Sequence, residues 1–215
     1  VTVDRVAPSV QSLTATTPTK ASSIAYTLTF SEPVSGLAAG DFTVGGTSSG
    51  WAVSGVSAAS GTTVTVQLSR SAPSDGTVVL TLGAGAVSDA AGNAGPASAF
   101  TGTTVTVDRT APTVASFSAA TPTRGSPITY ALTFSEPVSG LTPSGLSISG
   151  TSTGWAVSAV RGSGTTYSID VGNGSPADGT VVLALASGAV SDAAGNAGPA
   201  ATAGTVTVDV TAPIA

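Results

Sequence analysis

IAYTLTF, Ile24 to Phe30, puts Ile24, Tyr26, Leu28 and Phe30 on one side of an extended chain and Ala25, Thr27 and Thr29 on the other. Successive side chains of a strand point to opposite faces, so this stretch reads as a strand with one face in a core and one toward water. Upstream, Ser9 to Ala15 alternates weakly and reads as a first strand, closed by the turn-like TTPTKASS of residues 16–23. Downstream, the Gly- and Pro-bearing loop SEPVSGLAAG leads to a third strand, Asp41 to Gly46, then to a fourth, Trp51 to Ser57, and a fifth, Thr63 to Leu68. SAPSDG is a strong turn, because Pro73 fixes its backbone and Gly76 accepts a positive φ. Val78 to Leu82 is a sixth strand, apolar enough to be central. The small-residue loop GAGAVSDAAGNAGPASA, residues 83–99, then leads to a seventh, Thr103 to Val107. No window carries a helical period.

The same plan recurs. Ile128–Phe134, Leu146–Ile148, Trp155–Val160, Tyr167–Val171, Val181–Leu185 and Thr205–Val208 repeat the strand pattern. VTVDRVAP at residues 1–8 returns as VTVDRTAP at 105–112 and VTVDVTAP at 206–213, with Asp4 and Asp108 104 positions apart and Asp108 and Asp209 101 apart. Seven short strands per repeat, punctuated by Gly, Pro, Asn and Asp, indicate an all-β chain of two tandem immunoglobulin-like antiparallel β-sandwiches of about seven strands each. The expected domains are 1–107 and 108–208, with 209–215 opening a third, as in a slice of a longer array.

Composition removes several classes of function. The chain has no Cys, so packing, with or without metal, must hold each unit. Six basic residues against eleven acidic ones, for a net charge of −5, argue against nucleic acid and anionic membrane as partners. No apolar run approaches the roughly 18 to 20 residues that span a bilayer, so no membrane insertion is expected in this segment. With no His or Cys, no phosphate-cradling Gly loop and no nucleophile elbow, catalysis has no candidate residues, and the chain is not expected to be an enzyme.

The acids are placed with a rule. Nine of the eleven recur: Asp4, Asp108 and Asp209 at the junctions, Glu32 and Glu136 after the second strand, Asp75 and Asp178 before the sixth, Asp89 and Asp192 after it. In a sandwich whose strands run alternately up and down, the start of strand one and the loops after strands two and six share a pole. Asp108, Glu136 and Asp192 are therefore expected to converge, and Asp4, Glu32 and Asp89 to form the same cluster upstream. Two carboxylates about 5 Å apart repel by roughly 3 kcal/mol at an effective dielectric of 20. A bound cation removes that cost. Oxygen ligands without Cys or His select a hard ion, and calcium accepts six to eight oxygens in loose geometry. The amide oxygen of Asn196 and, in the first unit, of Asn93, or a nearby side-chain oxygen, completes the expected ligand set alongside loop carbonyls and water. The bland alternative is that Arg5 and Arg109 neutralise the acids without metal. Val210 stands at that place in the third junction while Asp209 is kept, so the carboxylate does not depend on the Arg. Asp75 and Asp178, each before Gly, read as turn formers. Trp51 and Trp155 read as core or rim packing, and Asp41, opposite Gly145 in the second unit, has no assigned role.

TFSEPVSGL (residues 29–37 and 133–141), VSDAAGN (87–93 and 190–196) and TVTVDxTAP, in the same order twice, resemble the bacterial Ig-like repeats of large secreted surface adhesins and RTX-type proteins. The resemblance covers both units. It implies extracellular stalk or spacer modules on the bacterial cell surface, rigidified by calcium at the junctions. Their partners would be neighbouring repeats of the same chain, with adhesion to surface glycan or protein carried by other domains. The competing reading is an Ig-like module that itself binds glycan or protein, and the places to look are where the units differ most, Asp41–Val44 against Gly145–Ile148 and Val66–Arg70 against Ile169–Gly172.

Overall fold

The alternation at Ile24–Phe30 is realised as a buried stripe. A computed structural model describes residues 3–57 and 61–214, which divide into two units, Val1–Arg109 and Thr110–Ala215. In the first unit the strands are β1 (Val10–Thr14), β2 (Ser23–Val34), β3 (Phe42–Gly45), β4 (Ala52–Val56), β5 (Gly61–Ser69), β6 (Gly76–Leu82), β7 (Val87–Ser88), β8 (Ala94–Gly95), β9 (Phe100–Thr101) and β10 (Val105–Val107). One sheet has the order β1-β2-β5-β4, the other β10-β6-β3 with β9 also on β6, and every pairing between these strands is antiparallel. Ile24, Tyr26, Leu28 and Phe30 from the first sheet pack with Val78, Leu80, Leu82 and Val105 from the second in one buried cluster. Burying a side chain of this size contributes about 1.5 to 3 kcal/mol, so packing alone can hold a unit without disulfides. The Tyr26 hydroxyl lies inside and donates to the carbonyls of Thr103 (2.8 Å) and Val78 (3.3 Å), and burial pushes its pKa up to about 12.

The second unit repeats this with β11 (Val114–Ala119), β12 (Ile128–Val138), β13 (Leu146–Ser149), β14 (Ala156–Gly172), β15 (Gly179–Leu185), β16 (Ala201–Thr202) and β17 (Val206–Val208). Its sheets run β11-β12-β14 and β13-β15-β16, with β17 also on β15. The strands expected at Trp155–Val160 and Tyr167–Val171 are one continuous extended run that doubles back, Ser158 Oγ reaching the Asp170 carbonyl at 3.1 Å. Tyr167, where the first unit has Val64, sits edge-on to Phe134 with centroids 6.0 Å apart and donates its hydroxyl to the Val138 carbonyl at 2.8 Å.

Two differences from the strand plan matter for the site. The loop of residues 83–99 is not irregular throughout, since β7 and β8 pair within it as a miniature ladder. Two-residue strands of Ala, Gly, Val and Ser carry no readable period. β2 also runs past Phe30 to Val34 after a break in its ladder: Thr29 pairs with Thr63, and the next pair is Val34 with Gly61. β12 does the same between Thr133 and Val138. Pro33 and Pro137 have no N–H to offer a ladder, so the extra residues bulge outward there, and Glu32 and Glu136 lie in the bulge.

Candidate metal centre

Three segments are tied together around each bulge. Ser31 donates its N–H to the Ser9 carbonyl (2.9 Å) and its Oγ accepts the Ser9 N–H (3.0 Å), which fastens the incoming chain to β2 beside Glu32. Thr113 and Ser135 repeat both bonds. Past the bulge, Ser35 and Ser88 exchange N–H···O bonds of 2.8 and 3.0 Å, joining the Glu32 segment to the residue before Asp89; Ser139 and Ser191 match them, also at 2.8 and 3.0 Å. Gly95 lies flat against the incoming chain, where a Cβ would stand 2.1 Å from the Pro8 carbonyl oxygen. Only glycine permits that approach.

The result is a carboxylate group at each place. Asp4, Glu32 and Asp89 each present an oxygen within 4.8 Å of the others, and Asp108, Glu136 and Asp192 do the same. All six predicted acids are thus brought together in threes. Asp89 and Asp192 are buried, Glu32, Glu136 and Asp108 are half-buried, and Asp4 is exposed.

The members of the first group differ in how they are held. Asp89 Oδ1 accepts the N–H groups of Ala91 and Asn93, both at 2.8 Å, and Oδ2 accepts the Asn93 Nδ2 at 2.7 Å. The Asn93 side chain and these backbone donors outweigh burial and hold Asp89 below the usual carboxylate range. Asp192 behaves alike: burial pushes it up, but the Asn196 side chain and neighbouring backbone N–H groups prevail. Asp4 Oδ1 accepts the Val6 N–H at 2.9 Å. Glu32, by contrast, accepts no hydrogen bond among the described residues. Partial burial, then the charges of Asp89 and Asp4, push its pKa up. Glu32 is therefore the member of the first group whose charge is least compensated by its surroundings.

The two asparagines are in place, with their amide nitrogens on the carboxylates. Asn93 Nδ2 also reaches the carbonyls of Val6 (3.3 Å) and Asp4 (3.4 Å), so in this arrangement it orients Asp89 and anchors the linker. Among the described residues neither arginine beside the linker is seen paired with these carboxylates. Arg5 makes no hydrogen bond or ion pair among the described residues, and Arg109 directs Nη1 to the Lys20 carbonyl. An ion pair is instead found far along the second unit, Arg161 with Asp170, which also accepts from Thr129.

Asp75, Asp178 and Asp41 have contacts that sequence reading missed. Asp75 Oδ1 accepts the Arg109 N–H and Asp178 Oδ1 the Val210 N–H, both at 2.7 Å. Asp41 Oδ2 accepts the Ala38 N–H at 2.7 Å and closes a 3-10 turn. Partners 32 to 34 residues away on the backbone leave no trace in side-chain spacing. Trp51 and Trp155 are buried, each indole N–H donating to a serine hydroxyl, Ser48 (3.1 Å) and Ser152 (3.0 Å).

Comparison with known proteins agrees with the internal repeat. No curated protein matches the chain. Two solved structures are similar to it: the N-terminal part of the bacterial S-layer protein SbsC (18% identity, TM-score 0.36, covering 94% of this chain and 44% of that one) and the D0-D1 domain of intimin (18% identity, TM-score 0.30, covering 93% and 98%). The chain thus spans less than half of the S-layer structure. The bacterial Ig-like domain matches twice in tandem, over residues 4–106 and 108–209. With nearly every residue inside one of those two segments, the chain belongs to the bacterial Ig-like domain family.

Proposed function

We propose that the two units are spacer modules of a bacterial extracellular or cell-surface adhesin, that calcium binds at the carboxylate groups, and that the ion at Asp108 stiffens the link between repeats. The observation that carries this is the repeated triple of carboxylates with Glu32 left without a donor. Asp4, Glu32 and Asp89 form one ligand set, Asp108, Glu136 and Asp192 the other, with Asn93 and Asn196 orienting the buried aspartates. Carboxylate oxygens drawn from three separate segments suit calcium, which accepts six to eight oxygens in loose geometry, better than magnesium, which demands near-ideal octahedral geometry. Duplicated sites in every repeat favour architecture over catalysis, and the units are read as non-enzymatic. A glycan-binding role draws no support from the aromatic residues, none of which is exposed among the described residues. The partners proposed are neighbouring repeats of the same chain, with surface glycan or protein engaged by other domains.

Extracellular calcium modules bind at about 0.1 to 1 mM, so roughly 10 mM calcium would add about 1.4 to 2.7 kcal/mol per site. Small-angle scattering with and without chelator tests the stiffening. The expected result is a longer, narrower distribution of maximum dimension in calcium; identical profiles in both conditions would contradict it.

A further inference from the structure

The outgoing chain is held in the same way in both units. Val107 forms a parallel bridge with Thr19, and Val208 with Thr123. Thr17 Oγ1 accepts the Thr106 N–H and Thr121 Oγ1 the Thr207 N–H, both at 2.9 Å. Two residues on, the N–H of Asp108 or Asp209 goes to the carbonyl of Thr19 or Thr123, again at 2.9 Å. The one after that, of Arg109 or Val210, is taken by the carboxylate of Asp75 or Asp178 at 2.7 Å, and Thr211 Oγ1 also donates to Asp178. Thr211 and the Val210 N–H hold Asp178 below the usual carboxylate range. Charge-assisted bonds of this kind are the strong ones.

We infer that Asp75 and Asp178 are positioning residues, clamps that fix the chain on the far side of the linker aspartate so that its carboxylate is presented in a set orientation before any ion arrives. The clamp grips a backbone N–H, which explains why Arg109 and Val210 can alternate at that place while the acid stays. It also explains an acid at a turn where Asn would serve: the partner is a donor outside the turn. Both N–H groups flanking the Asp108 side chain are held, by Thr19 and Asp75. A preorganised ligand loses less freedom on binding, so releasing the clamp should weaken calcium binding at the Asp108 group. That consequence rests on the calcium reading; the clamp itself does not.

The test uses the full 215-residue chain and the variants Asp75→Ala and Asp75→Asn. In chelator, amide hydrogen exchange at Arg109 should accelerate about tenfold in Asp75→Ala, the loss of one charge-assisted hydrogen bond, with Val78 and Thr81 unchanged. Asp75→Asn, which keeps an acceptor oxygen, should restore most of the protection. In a calcium titration followed by residue-resolved NMR, Asp75→Ala should weaken the Asp108 group by about three- to tenfold and leave the Asp4 group as it was. Unchanged exchange at Arg109 would overturn the clamp, and equal weakening of both groups would reduce Asp75 to a general stabiliser. If the unmutated chain takes up no calcium, the calcium reading fails, while the exchange measurement still decides the clamp.

Discussion

Glu32→Gln is expected to change the stability of the first unit in opposite directions in two buffers. In chelator the variant should unfold at a higher temperature than the unmutated protein, because the substitution removes a charge that Asp89 and Asp4 repel and that partial burial disfavours. In roughly 10 mM calcium it should unfold at a lower temperature, since the site loses a ligand and with it about 1.4 to 2.7 kcal/mol of binding linkage. For a domain of this size that corresponds to about 6 to 20 °C. The pH dependence carries the same signature. Glu32 has a folded-state pKa above its unfolded value, so its charged form destabilises the metal-free unit at neutral pH, and that penalty disappears as pH falls through the raised pKa. Asp89 and Asp192 have folded-state pKa values below their unfolded ones, so their contribution is present above the ordinary carboxylate range and is lost as pH falls further. In chelator, mild acid should therefore stabilise the first unit before stronger acid unfolds it, and Glu32→Gln should abolish the first phase only. Calorimetric melts across pH check this; a variant destabilised to the same extent with and without calcium would count against an ion at the group.

Gly46→Val should produce a large loss of stability from a single change. Gly46 has φ of +114°, and a Cβ there would stand 2.1 Å from the Thr77 carbonyl oxygen; Gly150 repeats this with φ of +127° and 2.1 Å to the Thr180 carbonyl oxygen. Neither obstacle is a side chain that can swing away. Backbone strain of about 1 to 3 kcal/mol adds to overpacking of about 1 to 3 kcal/mol, and β-branching makes valine worse than alanine at positive φ. The total, about 2 to 6 kcal/mol, is a large share of the stability of a unit of this size. Gly46→Val should therefore lower the first unfolding transition while the second unit, followed through Trp155, keeps its own. A variant melting within a degree or two of the unmutated chain would mean that β3 and β6 do not approach as closely as described.

Where the side-chain pattern carried the information, the chain was readable. Residues 24–30 alternate because one face is buried, and the burial of Ile24, Tyr26, Leu28 and Phe30 follows that alternation. The meeting of Asp4, Glu32 and Asp89 was legible because strands that alternate in direction decide which loops share a pole, and the repeat supplied an independent copy. The bulge that sets Glu32 apart was half visible, in the proline that follows it. β7, β8 and β9 were not, since strands of two residues have no period. The roles of Asp75 and Asp178 were hidden for a different reason: their partners are main-chain N–H groups, which every residue but proline carries. Asn93 and Asn196 are expected from the sequence as ligands through their amide oxygens, but it is the amide nitrogen that meets the carboxylate, and which end does so is a matter of geometry alone.

Isothermal titration of calcium into the 215-residue chain, alongside the double variant Glu32→Gln, Glu136→Gln, tests the central claim most directly. The account predicts two ions per chain with dissociation constants on the order of 0.1 to 1 mM, and loss of both in the double variant. Heats no larger than dilution up to about 10 mM calcium, or a double variant that binds as the unmutated chain does, would contradict it.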